Sequence, residues 1–376
     1  ISGTSYNLST TITTEGTYYL WVKDSAGNKA VSDVIDLETK GWKTILANNT
    51  VNSTTPNFSN AATTNEGLYK SKDDLGTSYY FRGAVNNNWV KFGKDSSGND
   101  IYWRIIRING DGSIRMIYTG TTAPTESTKV VMTGAGTQIS TGAFNSNYNR
   151  AEYVGYQYIK EQQHGYGECN GTSVSCTVNE NTVYNSTIKQ AIDKWYAGTT
   201  LETDIATKAL VSQDQIFCNE RSAASNQTAA WKSSANYYYG AYDRLILTTK
   251  SPQLTCPTVS DKFTSKNSSI GNKALTYPVG LITMDEVAMA GGVYESDNSS
   301  YYLYTNQYYW LGTPIFFNSY NSYAYEFYVD SSGILNYVNV DYSTAYAAVG
   351  GRPVISLSSK AKLSGNGTYN NVYTVS

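Results

Sequence analysis

The stretch Ile101-Tyr-Trp-Arg-Ile-Ile-Arg-Ile-Asn-Gly-Asp-Gly-Ser-Ile-Arg-Met-Ile-Tyr118 decides the fold class. Two runs of β-branched and aromatic residues flank Asn109-Gly-Asp-Gly112, and Asn-Gly and Asp-Gly accept the positive φ of tight hairpin turns. The pattern predicts a β-hairpin. Tyr79–Val85 and Trp89–Phe92 read as further strands, and Arg352–Leu357 reads as the last one. Two segments break the strand period. Ile188, Ala191, Ile192, Trp195 and Tyr196 fall on one face of a helix behind an Asn185-Ser186 cap. Thr283-Met-Asp-Glu286 has the form of a capping box, with Gly291-Gly292 as the stop. Two short helices against many strands and long loops predict an α+β fold.

Composition narrows the function classes. The 376 residues carry 28 Lys+Arg against 30 Asp+Glu, a formal net charge of −2, so no basic stripe is available for nucleic acid. Charged residues make up only 15%, while tyrosine supplies 35 positions, so polarity rests on hydroxyls and amides. The single histidine, His164, has no second imidazole to share a metal and reads as a loop residue. No G-x-S-x-G elbow, P-loop or H-E-x-x-H is present, and nothing nominates a carboxylate pair for glycoside hydrolysis. The expectation is a protein that is not an enzyme and needs no cofactor or metal.

Four cysteines, Cys169, Cys176, Cys218 and Cys256, permit three pairings. Cys169 and Cys176 bracket a short turn-rich loop that one bridge closes, which leaves Cys218 with Cys256. The spacings fit no zinc or redox motif, so structural disulfides and an extracellular location are expected. No run is apolar enough for a membrane span and no signal peptide opens the chain. The start at Ile1 and the plain C-terminus suggest a fragment whose anchor lies N-terminal to it.

Residues 1–38 alternate as strands around the turn Asp24-Ser-Ala-Gly-Asn28 and resemble the last strands of a bacterial immunoglobulin-like repeat, hence part of a β-sandwich. Residues 39–66, rich in Asn, Thr and Ser, read as a linker. Residues 67–376 read as one large domain. Its segments "YYFRGAV", "YWRIIRINGDGSIRMIY", "YPVGLITMDEVAMAGG", "YYLYTNQYYWLGTP" and "GGRPVISL" resemble surface proteins of gut Firmicutes. Those proteins end in a C-type-lectin-like domain of the formylglycine-generating-enzyme type, and many are variable proteins of diversity-generating retroelements. The resemblance implies a ligand-binding domain behind a pilin-like or hydrophobic N-terminus. The catalytic cysteines of formylglycine-generating enzymes have no match here. The Glu-Pro-Asn, Gln-Pro-Asp and Trp-Asn-Asp patterns of calcium lectins are absent too, so the likeness implies shape rather than sugar.

Between Leu311 and Gly350 stand seven tyrosines, three acids (Glu326, Asp330, Asp341) and no Lys, Arg or His. Antibody loops use such surfaces, because tyrosine brings rigid amphipathic area at small entropic cost. Adenine-directed diversification yields no Lys, Gln, Glu, Trp or Met from an Asn codon, and Ile315–Tyr323 and Asn336–Ala348 contain none of these. These stretches predict two variable loops held by a hairpin over Ala324–Leu335. Their ligand-binding candidates are Ile315, Phe316, Phe317, Asn318, Ser319, Tyr320, Asn321, Tyr323, Asn336, Tyr337, Asn339, Asp341, Tyr342, Ser343, Thr344 and Tyr346. The aromatic ones are expected in solvent on one side, with Trp310, Phe327, Val329, Leu335, Val354 and Ile355 facing the core. Asp95-Ser-Ser-Gly-Asn-Asp100, Asp111-Gly112 and Asp330-Ser-Ser-Gly333 read as Asx turns rather than calcium loops. Arg352 reads as an ion-pair or backbone-binding residue.

The expectation is a bacterial surface adhesin or receptor for an unknown protein or glycan, working by shape and tyrosine contacts. The alternative is a pilus or surface-layer component whose aromatic patch packs against a neighbour.

Overall fold

The computed structural model describes residues 16–376 apart from 32–34, 38, 149–152, 159–183, 226–235, 248–249, 266–268, 319, 322 and 343–347, and only the backbone of 35–37, 158 and 184. His164, Cys169 and Cys176 lie outside the described residues. The fold is α+β, with few helices and many strands in several sheets.

The expected hairpin forms the centre of a nine-stranded sheet. Asp100–Ile108 pairs antiparallel with Ile114–Gly120 along one edge. Its other edge is shared by Trp89–Lys94 and Gly76–Gly83. Ile114–Gly120 also pairs with Val354–Leu357. Both faces of the hairpin are covered, so Ile101, Trp103, Ile105, Ile114, Met116 and Ile117 are all fully buried. That explains why the sequence shows an apolar run here rather than strict alternation.

Both expected helices are present. Ser186 caps Thr187–Ala197 by accepting the Lys189 N–H at 3.2 Å, and Ile188, Ile192 and Tyr196 are buried. Met284–Ala290 opens on the Thr283/Glu286 capping box and ends at Gly291, whose φ of 119° lies in the left-handed region open to glycine.

Two expectations are corrected. Residues 39–66 are no free linker: they contain the helix Gly41–Ala47, with buried Ile45, and the strand Val51–Asn52, parallel to Asn65–Asp73. Gly41 N–H donates to Ala361 O at 2.8 Å, and Ala62 is fully buried. Spaced apolar residues in a polar stretch sufficed to dock it, where composition alone suggested a spacer. Nor is Arg352–Leu357 the last strand. Leu363–Ser364 and Tyr373–Val375 follow, and the latter lies parallel to Trp89–Lys94. Further upstream, Gly16–Tyr18 pairs with Ile35–Leu37, and Trp21–Lys23 pairs with Lys29–Val31.

Five arginines are buried almost completely: Arg82, Arg104, Arg115, Arg221 and Arg352. Each guanidinium lies over an aromatic ring, at 5.2 Å from Phe58, 4.3 Å from Trp89, 4.5 Å from Phe217, 5.5 Å from Phe263 and 4.7 Å from Tyr309 respectively. Buried charge is costly unless its donors are satisfied; ring faces and backbone carbonyls serve Arg104 and Arg352, while Arg82, Arg115 and Arg221 also pair with Glu66, Glu286 and Asp261. Arg352 reaches Tyr118 O at 3.1 and 3.2 Å and Leu303 O at 2.9 Å.

Cys218 and Cys256 are paired, with Cα atoms 5.6 Å apart and a sequence separation of 38. The pair closes a loop that carries Asn236–Tyr238, Tyr242 and Arg244. Arg244 fastens the same loop to Glu220 (2.7 Å) and to Asp285 of the Met284–Ala290 helix (2.8 Å).

Candidate functional site: an aromatic platform at one end of a sheet

A second, six-stranded sheet is built on Tyr309–Asn318. That strand pairs with Tyr323–Val329, which pairs in turn with Leu335–Asn339, forming the expected hairpin. The turn between the hairpin strands is closed by Asp330, whose Oδ1 accepts the Ser332 and Ile334 N–H groups at 2.8 and 3.0 Å. Asp95 closes its own turn in the same manner with Ser97 and Asn99. On its outer side, the far end of Tyr309–Asn318 takes Asn236–Tyr238 as an extra strand.

Pairing register fixes which side chains meet. Tyr238 stands opposite Phe316, Phe316 opposite Tyr325, and Tyr325 opposite Asn339, so these four form one row across four strands. Their neighbours Tyr237, Phe317 and Ala324 form the opposite row and are buried at 2%, 0% and 0% exposure. Adjacent residues on a strand point to opposite faces, which separates the two rows. Register shifts flank Pro314, which has no N–H to give a ladder, and Ile315 falls between the paired positions Pro314 and Phe316.

The row extends into a connected set of rings. Tyr238 stacks on Tyr242 with centroids 4.0 Å apart, and Phe316 stacks on Tyr325 at 4.4 Å. Tyr337 meets Phe316 edge-on at 5.5 Å and lies parallel to Tyr294 at 6.2 Å. Tyr238, Tyr242, Tyr294, Tyr325 and Tyr337 are each half-buried, while Phe316 at their centre is 6% exposed. The result is a platform of ring edges and faces partly open to solvent. Tyr323 stacks on Tyr148 at 4.8 Å nearby.

The electrostatics are one-sided. Burial raises the Tyr325 hydroxyl above its ordinary pKa, and Tyr323, Tyr337 and Asp341 raise it further. Burial likewise raises Tyr242, helped by Tyr238, Tyr337 and Asp243. Tyr294 is raised by burial, then by Glu295 and Tyr337. These hydroxyls stay protonated, and carboxylates stand beside the rings. The ammonium of Lys250 lies 5.9 Å from the Tyr294 ring centroid, at the platform's edge.

Measured against the sequence-based candidates, the outcome is mixed. Tyr320, at 82% exposure, and Asn321 project from the tip, where Asn318 Oδ1 accepts both of their N–H groups. Tyr323, Tyr337, Asn339 and Asp341 are half-buried on or beside the platform, with Asn339 donating to Asp341, while Asn336 and Tyr342 are half-buried too, Asn336 opposite Tyr328 on the other face of the sheet. Asn318 is half-buried in the strand. Ser319, Ser343, Thr344 and Tyr346 lie outside the described residues. Ile315, Phe316 and Phe317 are corrections: they belong to the strand, and Ile315 and Phe317 are fully buried core. Trp310, Phe327, Val329, Leu335, Val354 and Ile355 are buried. Sequence reading missed Tyr238, Tyr242 and Tyr294 altogether. The only local signal was the run Asn236-Tyr-Tyr-Tyr-Gly240, one tyrosine cluster among many.

Away from the platform, a polar cleft of about 590 Å³, its open mouth included, lies beside the Met284–Ala290 helix. Its carboxylates are held by cations. Asp73 binds Arg107 at 2.6 Å, Glu286 binds Arg107 and Arg115 at 3.0 and 2.5 Å, and Asp74 binds Lys262 at 2.8 Å. Burial alone would raise the Glu286 carboxyl, but the Arg115 and Arg107 guanidiniums outweigh it and hold Glu286 below the usual range.

Glu326 differs. It is fully buried, accepts the Gly155 N–H at 2.6 Å, and its Oε2 has no hydrogen-bond partner among the described residues. Burial pushes its pKa well above the ordinary value, with the Gly155 N–H and Arg221 opposing only in part. Gly155 is required there, because a Cβ would stand 2.0 Å from Asn219 Oδ1 and its φ is +86°. Among the described residues no group of His, Cys, Asp and Glu is placed to hold a metal ion.

No family model matches the chain, and no curated protein or solved structure matches it either.

Proposed function

We propose that this is a bacterial surface protein that binds a macromolecular ligand through the tyrosine platform, with no chemical turnover. The reading includes the finer expectation of a C-type-lectin-like domain carrying retroelement-type variation, displayed outside the cell. One observation carries it: half-buried rings from strands distant in sequence are gathered into one row and left partly open to solvent. Partly exposed aromatic clusters on rigid strands are the usual form of an interaction surface, since they lose little entropy on binding. The Cys218–Cys256 pair supports an oxidising compartment.

Diversification of the whole window would damage the core at Ile315 and Phe317. The proposed variable set is therefore Tyr320, Asn321, Tyr323, Asn336, Tyr337, Asn339, Asp341 and Tyr342, joined by whatever variation Ser343–Ala347 carries. The test is capture of surface ligands from the organism's surroundings by the whole chain and by a Tyr325→Ser/Tyr337→Ser double variant. Loss of capture with retained thermal stability supports the reading. Equal capture by both overturns it, and self-association abolished by the same double variant replaces it with the structural-subunit alternative.

A further inference from the structure

The nine-stranded sheet has a gap along one edge. Asn65–Asp73 pairs on one side with Gly76–Gly83, and Asp73 opposite Gly76 closes a two-residue turn. The pair that flanks such a turn exchanges hydrogen bonds, and such pairs alternate with pairs that do not. Asp73, Ser71 and Tyr69 therefore direct their peptide groups to Gly76–Gly83, while Leu68, Lys70 and Lys72 direct theirs to the other edge. There Val51–Asn52 pairs with Leu68 and Tyr69, and Leu254 bridges Asp73. Between these two, residues 70–72 have no strand beside them among the described residues. The chain beyond Asn52 leaves the edge over residues 53–56, and Pro56 has no N–H to give a ladder.

A groove of about 980 Å³, its open mouth included, lies along this gap. Phe58, Tyr80, Pro252 and Met289 supply apolar wall, and Lys70 is the one charged residue of the lining. Tyr80 is only 4% exposed, yet its hydroxyl has no hydrogen-bond partner among the described residues. A hydroxyl so placed is an open position for a polar group of a ligand. Lys70 and Lys72 are exposed and form no ion pair among the described residues. The carboxylates of the same strand are already paired, Glu66 with Arg82 at 2.8 Å and Asp73 with Arg107 at 2.6 Å. Lysines on an open edge repel basic strands and discourage apolar ones, which leaves acidic strands as the ones admitted.

We propose that this gap takes an extended acidic segment of a partner protein as an added strand over residues 70–72. In either strand direction, the incoming residue opposite Ser71 shares the face of Ser71, which is also the face of Tyr80 opposite Tyr69. It enters the groove beside Tyr80 and Met289. Threonine suits that place, with its methyl group on the apolar wall and its hydroxyl toward that of Tyr80. The residues on either side of it share the face of Lys70 and Lys72, where carboxylates complement the two ammonium groups. The incoming main chain accepts from the Lys72 N–H and donates to the Lys70 C=O, which is strand addition at a sheet edge. The site shares no residue with the tyrosine platform, so it stands or falls apart from that reading.

The experiment titrates the whole chain, isotopically labelled at the lysine amides, against three end-capped peptides. These are serine-glutamate-threonine-glutamate-serine, the same sequence with lysine for glutamate, and the acidic peptide N-methylated at threonine and at the glutamate after it. The acidic peptide is expected to shift the Lys72 amide signal, to slow its hydrogen exchange, and to bind about 10-fold tighter than the lysine peptide. N-methylation should weaken it at least about 5-fold, because the donor to the Lys70 C=O is gone. Tyr80→Phe keeps the ring and should weaken it about 3-fold. Lys70→Glu/Lys72→Glu should reverse the preference between the acidic and the lysine peptide, and Tyr325→Ser/Tyr337→Ser should leave all three affinities unchanged. Equal binding of the acidic and N-methylated peptides overturns strand addition. Equal binding of the acidic and lysine peptides overturns the acidic class. No response of the Lys72 amide to any of the three overturns the site itself.

Discussion

Two sets of tyrosines in this molecule show how one residue type is put to different uses. Tyr301, Tyr302 and Tyr309 are fully buried, and their hydroxyls lie near Arg352 or Arg104. Tyr238, Tyr242, Tyr294, Tyr325 and Tyr337 are half-buried, and their charged neighbours are acids and Lys250. In the first set the phenol ring is a counter-surface that makes a buried guanidinium tolerable. In the second, no guanidinium lies over a ring among the described residues, and the ammonium of Lys250 lies over Tyr294. Burial raises the hydroxyl pKa of Tyr242, Tyr294 and Tyr325 as it does that of Tyr301, Tyr302 and Tyr309, so burial alone does not separate the sets. The sign of the neighbouring charge does.

The comparison is broken most forcefully at the arginine. Arg352→Met removes the cation over Tyr309 and takes the guanidinium donors from Tyr118 O and Leu303 O, the latter keeping the Tyr309 hydroxyl at 3.3 Å. It should cost about 3–5 kcal/mol of unfolding free energy, measured by denaturant titration. A loss under about 1 kcal/mol would mean the interior rings do not need their guanidinium. Phe316→Ala comes next, at about 3 kcal/mol, because Phe316 is the buried centre on which the platform rings pack. Tyr325→Ser is expected to cost only about 1 kcal/mol, since part of its ring is already in water. If Tyr325→Ser proves as costly as Phe316→Ala, the platform is core and the distinction fails.

The two buried glutamates sharpen the comparison through pH. Glu286 has its folded pKa depressed, so its contribution is present above the unfolded pKa and is lost as pH falls. Glu326 has its folded pKa raised, so its contribution is full below the unfolded pKa and is lost as pH rises toward the folded value. Glu326→Gln keeps the shape and the oxygen facing Gly155 but does not titrate. Relative to the unsubstituted chain it should gain stability as pH rises from the ordinary carboxylate range toward the raised folded value, read from melting temperature. Constant difference across that range would show that Glu326 is not held protonated. Tyr320→Ser, at the exposed tip, should shift unfolding free energy by no more than about 0.5 kcal/mol, and a larger shift would show the tip to be packed.

The elements that sequence reading located are those written in local patterns. Asn109-Gly-Asp-Gly112 states its turn outright, Ser186 and Thr283 state their helix starts, and Gly291 a helix end. The docking of 39–66 was not legible, because two or three apolar residues suffice for it and their targets lie far along the chain. The site was half legible. Composition found the neighbourhood of Tyr320, Tyr337 and Asn339, but Ile315-Phe-Phe317 has no alternation to reveal its faces. A bulge at Pro314 sets the phase of that run, and a bulge depends on the partner strand. Tyr238, Tyr242 and Tyr294 join only through pairing and packing with strands about 40–100 residues away, and in a chain of 35 tyrosines nothing marks those three.

The parallel pairing of Tyr373 with Val90 has a consequence for how this molecule comes into being. Trp89–Lys94 leaves the ribosome long before the strand that lies along it. Until Tyr373–Val375 arrives, that side of the central sheet stands as an open edge with unpaired amides, the form most prone to stick to another chain. Loop closure over so long a separation places the molecule among slow, high-contact-order folders. Vectorial synthesis therefore gives this edge no head start: it stays open until Tyr373–Val375 has emerged, and whatever receives the nascent chain must keep it single until then.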